Sequence, residues 1–210
     1  MYLFLFFSIP IFSFWYLMRI KKYSFSQFIF PVILGFFISI LFAFVRKFFV
    51  ISNYCISYSF ISYVFHEALI WILFPAVVSF LAFLLLSKDS KQYKSDMIYA
   101  LLSSTFFVVL PYSVFSGFDK NSFFLLFAKP ILYIFVFLSI EFLVKQCIYN
   151  ICEGNKSKLL PLIILIFIMI FMEPAIEALW YFKSLFVLQI ILSVFTLVFG
   201  IFSMIKNITR

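Results

Sequence analysis

Charged residues are scarce in this sequence: only 11% of its 210 residues are Asp, Glu, Lys or Arg. Soluble domains average about 25% charged residues, so this shortage excludes an ordinary water-soluble fold. The chain also has only 4 Gly, and its polar stretches are too short to form a separate domain. In their place stands a sequence that is 66% hydrophobic, with a mean hydropathy of +1.20. These values indicate an integral membrane protein.

Aromatic residues are abundant, with 36 Phe and 12 Tyr. An AT-rich genome produces this bias together with many Ile, Ser and Lys, so the Phe excess is a poor guide to function. The net charge of +8 comes from basic residues that stand singly or in short groups between apolar runs. Such cations orient a chain in a membrane rather than bind nucleic acid. We therefore expect a multi-pass protein of the bacterial inner (cytoplasmic) membrane. Its expected partners are the lipid bilayer and another membrane protein, as substrate or complex partner.

Seven apolar runs have the length that crosses a bilayer, since ~20 residues at ~1.5 Å each cover a ~30 Å hydrocarbon core. The sequence thus predicts an all-α transmembrane helix bundle that forms one domain over residues 1–210. The expected spans are residues 2–18, 28–45, 66–86, 97–117, 123–144, 159–181 and 185–205. The first run lacks the basic start and the cleavage site of a signal peptide, so we expect it to be retained.

The distribution of Lys and Arg predicts the orientation, because these residues favour the cytoplasmic side. Eleven fall on one side: Arg19, Lys21, Lys22, Lys88, Lys91, Lys94, Lys145, Lys156, Lys158, Lys206 and Arg210. Four fall on the other: Arg46, Lys47, Lys120 and Lys183. The N-terminus is therefore expected outside and the C-terminus inside. This bias holds only if residues 48–65 do not cross the membrane, so we expect an outer interfacial or re-entrant segment there.

The cysteines do not predict a metal site. Cys147 and Cys152 fall in an expected cytoplasmic loop, where thiols stay reduced, and Cys55 has no partner on its own side. Two cysteines with no neighbouring His do not form a zinc site. We expect neither a metal nor a cofactor.

Ionisable residues within the spans are the candidates for chemistry, because they are costly there and by default face the bundle interior. They are His66, Glu67, Lys129, Glu141, Glu173 and Glu177. Glu141 lies four residues before Lys145, the spacing of a helical ion pair, and we expect this structural pair to snorkel to the inner interface. The other five fall in the outer half of the membrane.

Within this outer group, Glu173 and Glu177 lie on one helical face. Two close carboxylates in a low dielectric do not both ionise cheaply, so one is expected to keep a proton. Lys129 is the expected charge partner; in the alternative, His66 takes a shared proton. Prolines bend helices and can open a polar cavity in a bundle. Three lie at similar depth on three spans: Pro111, Pro130 and Pro174.

The segment 63–115, about a quarter of the chain, resembles the centre of the PrsW family. It carries His66-Glu67-Ala68-Leu69-Ile70-Trp71, then an apolar helix, a short basic loop and Asp96-Met97-Ile98-Tyr99-Ala100. PrsW proteins are membrane-embedded peptidases, related to the CAAX-type abortive-infection proteins, that act near the outer face. Their first motif is Glu-Glu-x-x-Lys. Glu67 matches its second Glu, whereas His66 stands at the first and Ile70 at the Lys.

The second PrsW motif, Phe-x-x-x-Glu, is matched at Phe107, but Pro111 stands where its Glu belongs. The family's later His has no counterpart, since His66 is the only histidine in the chain. The resemblance therefore implies a diverged or inactive peptidase, or one whose acids have moved to Glu173 and Glu177.

Three functions remain open from the sequence, and enzymatic activity is undecided among them. In a peptidase, Glu67 with Glu173 or Glu177 would activate water, and the partner acid would protonate the leaving amine. In a transport subunit for an ion or small solute, the same acids and His66 would bind a cation or relay protons, with Lys129 as counter-charge. In a non-catalytic assembly subunit of a membrane complex, the acids would only pair across helices.

Overall fold

The computed structural model describes residues 2–49, 59–87, 97–116, 123–183 and 185–208. Within these ranges the chain is helical without strands, and seven helices are long and apolar enough to cross a membrane. They are α1 (2–20), α2 (Phe25–Phe49), α3 (Phe60–Leu86), α4 (Ile98–Ser116), α5 (Phe124–Cys152), α6 (Lys156–Tyr181) and α7 (Phe186–Ile208). The expected all-α bundle of seven spans is confirmed.

The third helix begins earlier than the sequence predicts. It starts at Phe60 rather than His66, because the Ser59 side chain caps it by accepting a hydrogen bond from the Ser62 N–H at 3.3 Å. At the other end of the expected interfacial segment 48–65, α2 continues to Phe49. Both ends of that segment are therefore helical and belong to spans, while residues 50–58 lie outside the described residues. The earlier start places Glu67 about 10 Å into its helix, at ~1.5 Å per residue.

The fifth helix is longer than the expected span 123–144 and continues to Cys152. Cys147 and Cys152 therefore lie in its last turns rather than in a loop, and both thiols are free. Cys55, Lys88, Lys91, Lys94, Asp96, Lys120 and Arg210 lie outside the described residues.

Helices α4 and α5 form the centre of the bundle. In their membrane-spanning windows 72% and 50% of residues are buried, against 22–33% in the other five. The second helix approaches α4 closely at Gly35, where a Cβ would meet the Ser104 hydroxyl and lie 2.7 Å from the Leu101 carbonyl oxygen. Ser104 and Thr105 bond back to the Leu101 carbonyl, so their buried hydroxyls are satisfied within α4. Small residues at such contacts are typical of helix packing in membranes.

Three of the helices contain a π-helical turn. The segments are Tyr16–Ile20 at the end of α1, Glu67–Leu73 within α3 and Phe124–Ala128 at the start of α5. A π-turn adds a residue to the helical repeat and is frequent at functional sites. The first contains the buried Tyr16, the second begins at Glu67 and the third directly precedes Lys129.

Candidate functional site

The ammonium group of Lys129 is the centre of a buried acidic cluster. Its Nζ lies 2.6 Å from Glu177 Oε2 and 3.8 Å from both Glu67 Oε2 and Glu173 Oε1. The side chains of Lys129 and Glu173 are 2% and 1% exposed, and that of Glu67 is 12% exposed. The structure therefore brings together four of the residues that the sequence singles out, from three helices. We call Glu67, Lys129, Glu173 and Glu177 the acidic cluster.

Helix geometry explains how these side chains converge. Glu173 and Glu177 are one turn apart on α6, so they share a face. Glu67 follows the start of α3 at Phe60 by seven residues, and Lys129 follows the start of α5 at Phe124 by five. The two residues therefore lie at similar depths. Because α3 and α5 begin at the end of the bundle where α6 finishes, all four reach the same layer. Pro130 and Pro174, each directly after a cluster residue, are buried in that layer.

The three carboxylates differ in their hydrogen bonds. Glu177 accepts from Lys129 on one oxygen and from the Tyr63 hydroxyl on the other, at 3.0 Å. Both oxygens of Glu173 are buried and have no hydrogen-bond partner among the described residues. Tyr133 on α5 is the neutral polar neighbour of Glu173. Glu173 is therefore a buried carboxyl group without a hydrogen bond of good geometry, and the Tyr133 side chain lies beside it.

His66 lies at the rim of the cluster. Its Nδ1 is 3.4 Å from Glu67 Oε1, and the two side chains are 13% and 12% exposed. Although neighbours in a helix leave the axis about 100° apart, these two long side chains still meet. His66 is thus joined to the acidic cluster through Glu67 alone among the described contacts.

The cluster has no metal-site geometry. Among the described residues, no group of three or more His, Cys, Asp or Glu is arranged to hold a metal ion. The carboxylates converge on Lys129 instead, so an ammonium group takes the central position that a bound cation would need.

A second buried cluster surrounds Glu141, whose side chain is 0% exposed. Lys145 Nζ lies 2.9 Å and Lys21 Nζ 3.5 Å from its Oε1. Its Oε2 accepts from the Tyr16 hydroxyl at 3.0 Å and from Asn207 Nδ2 at 3.2 Å. We call Glu141, Lys21 and Lys145, with Tyr16 and Asn207, the basic cluster.

The basic cluster differs from the interfacial pair that the spacing of Glu141 and Lys145 predicts. Glu141 does not snorkel, because α1 and α7 cover it and supply three of its four partners. Lys21 also donates to the Asn207 carbonyl oxygen at 2.9 Å, which ties the end of α1 to the end of α7. A residue counted above only for orientation, Lys21, is therefore a buried structural group.

Three tyrosines in or beside these clusters were not predicted from the sequence. Tyr63 is four residues before Glu67, and Tyr133 is four residues after Lys129. Both could be found by looking one turn on either side of each buried charge. Tyr16 has no such signal, because it is 125 residues from Glu141.

An apolar cavity of about 280 Å³ opens between α1, α2 and α4. Its walls include Phe14, Phe28 and Phe36, and its hydroxyls, such as that of Ser13, bond to their own helix backbone. No carboxylate or amine is among the residues that line it. This cavity is therefore separate from both charge clusters.

In the segment that resembles the PrsW family, Glu67 lies in the acidic cluster. Pro111 on α4 stands where the family's second motif has Glu, so α4 provides no carboxylate at that position. That resemblance stays a prediction. Comparison of the chain with protein-family models, with curated proteins and with solved structures found no match.

Proposed function

We propose that this protein is a proton-translocating or proton-coupled transport protein of a cytoplasmic membrane, with the acidic cluster as its proton-binding site. The observation that carries the proposal is that three carboxylates share one buried ammonium group, that of Lys129. If all three were ionised, two negative charges would remain unbalanced in the bilayer interior. Such charges are strongly disfavoured there. Uptake of protons by the cluster removes this imbalance, so the site is suited to binding and releasing them.

Lys129 also supplies a means of exchange. It is 2.6 Å from one carboxylate and 3.8 Å from two others, so a shift of about 1 Å would change its partner. A lysine side chain is long and rotates easily. When the ammonium pairs with a new carboxylate, that group favours release of its proton, and the carboxylate left behind favours binding one. Proton binding and a local movement are thereby coupled.

The helices at the site are irregular in the way such movement requires. Glu67 begins one π-helical segment, and Lys129 directly follows another. Pro174 lies inside α6 between the two glutamates of that helix. Interrupted helical hydrogen bonding allows local adjustment without unfolding the span.

Proton flux into proteoliposomes tests the proposal. Vesicles with purified protein, a pH-sensitive dye inside and an imposed proton gradient should change internal pH faster than empty vesicles. Glu173→Gln, Glu177→Gln and Glu67→Gln should each reduce this rate, because Gln keeps the side-chain size but cannot exchange a proton. Glu153→Gln is the matched control, since Glu153 is an exposed carboxylate at the end of α5.

Two results would contradict a role in proton movement. One is wild-type flux equal to that of empty vesicles under gradients of either direction. The other is unchanged flux in the folded triple Gln variant. In either case the acidic cluster would be a structural ion-pair network, as in the assembly-subunit hypothesis.

A second candidate function is peptide-bond hydrolysis, and the contact between His66 and Glu67 favours it. A carboxylate that accepts a hydrogen bond from an imidazole orients it as a general base; here the two groups are 3.4 Å apart without a hydrogen bond of good geometry, so a small side-chain rotation would complete the pair. The pair lies at the rim of the cluster, where water has better access than at Glu173. Incubation of the reconstituted protein with a membrane-spanning peptide should then give cleavage that both His66→Ala and Glu67→Gln abolish. Cleavage that survives both changes would contradict this function.

A further inference from the structure

A row of residues on α5 connects the two charge clusters. Lys129, Tyr133, Phe137 and Glu141 follow one another at intervals of four, so each is one turn from the next. The row extends over 12 residues, about 18 Å at ~1.5 Å per residue. All four side chains are buried in the bundle. Only Phe137 has no group that can donate or accept a hydrogen bond.

At the end of the row near the basic cluster, two buried tyrosine hydroxyl groups extend the line of polar groups. The Tyr16 hydroxyl donates to Glu141, and the Tyr16 ring meets the Tyr99 ring edge-on with centroids 4.8 Å apart. Tyr99 is 0% exposed, and its hydroxyl lies beside the Ser13 side chain without a hydrogen bond of good geometry in the described part of the chain. An unsatisfied buried hydroxyl is costly and uncommon in native structures. This group is therefore available to a mobile hydrogen-bonded species such as water.

Between the clusters, three rings pack together into an aromatic layer. The Phe106 ring of α4 is 4.8 Å from Phe137 and 5.3 Å from Tyr133, and these two α5 rings are 5.5 Å apart, all between centroids. Phe106 and Phe137 are 0% exposed. Packed rings of this kind leave no room for a chain of water molecules. Tyr133, the neighbour of Glu173, borders the acidic cluster on one side of the layer.

We propose that Phe106 and Phe137 form a hydrophobic gate between the acidic cluster and an exit route through Tyr99, Tyr16 and Glu141. The gate rests on the proposed proton function, since it separates a proton-binding site from the opposite end of the bundle. In the closed arrangement described here, protons reach the acidic cluster but not the basic cluster. Displacement of the Phe137 ring opens a gap that water can fill, and a proton then passes from Tyr133 toward Tyr99.

The experiment compares proton leak in proteoliposomes that carry cavity-forming variants. Phe137→Ala should leak protons faster than the wild type, because it removes one ring of the barrier. Phe83→Ala is the matched control: Phe83 is also 0% exposed, but it lies on α3 beside Phe30 and away from the α5 row. Phe137→Leu keeps most of the side-chain volume, so it can be measured if Phe137→Ala does not fold. It should leak protons to a smaller extent than Phe137→Ala. Tyr99→Phe should reduce the leak of the Phe137 variant.

Equal leak in the Phe137 and Phe83 variants would overturn the gate. If Glu173→Gln lowers wild-type flux while the Phe137 variants behave as the wild type, the proton site stands and the gate fails. If wild-type flux is absent but Phe137→Ala leaks and Phe83→Ala does not, the barrier is real and the transport proposal fails. A Phe137→Ala leak that is unchanged by Tyr99→Phe overturns the exit route through Tyr99.

Discussion

The two buried charge clusters are opposite in composition and share one helix. At one end of the bundle, α5 contributes Lys129, which is the only cation among the described residues of the acidic cluster and contacts three carboxylates. At the other end, α5 contributes Glu141, which is the only carboxylate among the described residues of the basic cluster and contacts two lysines. Each cluster thus has an excess of one charge sign, and α5 supplies the minority sign in both.

The clusters differ in how the excess charge can be relieved. Lys145 in the basic cluster is 18% exposed, so its ammonium can extend toward the interface and become hydrated. Glu173 in the acidic cluster is 1% exposed and has no such route. In the proposed function the acidic cluster reduces its excess charge by binding protons, whereas water can reach the excess charge of the basic cluster at Lys145. This contrast is why we assign chemistry to one cluster and helix attachment to the other.

Removal of the central cation should have the largest effect. Lys129→Met leaves three buried carboxylates without a counter-charge, and loss of one partner in a buried ion pair costs about 3–5 kcal/mol. The loss should shrink as the pH falls, because protonation neutralises the carboxylates. Thermal unfolding in detergent at several pH values measures both effects. Lys156→Met, at an exposed lysine, is the control, and equal stability of the two variants would show that Lys129 is not a needed counter-charge.

The corresponding change in the basic cluster should cost less and follow a different pH trend. Glu141→Gln breaks a buried ion pair, a change that costs up to about 3–5 kcal/mol, but the cost falls because Lys145 can move to water. Its penalty should not grow with rising pH, since the groups left unpaired are ammonium ions. The same unfolding measurement checks this, with Glu153→Gln as control. A penalty as large as that of Lys129→Met, with the same pH dependence, would remove the distinction between the clusters.

A packing change away from both clusters sharpens the comparison. Gly35→Ala forces a Cβ against the Ser104 hydroxyl and to 2.7 Å from a backbone oxygen of α4, and such overpacking costs about 1–3 kcal/mol. Because no charge is involved, the loss should be the same at every pH. Phe37→Leu, at a 64% exposed position of the same helix, should unfold like the wild type. A pH-dependent loss at Gly35 would mean that the trends expected above do not come from the clusters.

The smallest effects are expected from the two tyrosines that donate to carboxylates. Tyr63 and Tyr16 each do so at 3.0 Å, one in each cluster. Hydrogen bonds between membrane helices contribute about 0.6 kcal/mol on average and up to about 1.7 kcal/mol. Tyr16→Phe should be the more harmful, since Tyr16 is 0% exposed and water cannot replace the lost donor. The reverse order in the unfolding measurement would show that water reaches the basic cluster more readily than the rim of the acidic one.

Local features of the sequence are sufficient for the spans and for contacts within one helix. Apolar runs of spanning length are contiguous, so hydropathy predicts the seven helices once the distribution of Lys and Arg decides that residues 48–65 do not cross. A spacing of four residues places Glu173 beside Glu177 and Glu141 beside Lys145 on their helix surfaces. The start of α3 at Phe60 was not predicted, because its capping signal at Ser59 lies in a segment assigned to the interface by charge counting.

Tertiary structure alone decided which of these groups meet. The contact between Tyr16 and Glu141 joins residues 125 positions apart, and that between Lys129 and Glu177 joins residues 48 apart. Such contacts depend on the rotation of each helix about its axis. In a bilayer, apolar residues on every face suit the lipid equally well, so hydrophobicity does not fix that rotation. The sequence by itself determined that this chain crosses the membrane as helices with a few charges inside, and only the packing of those helices gathered the charges into two opposite clusters.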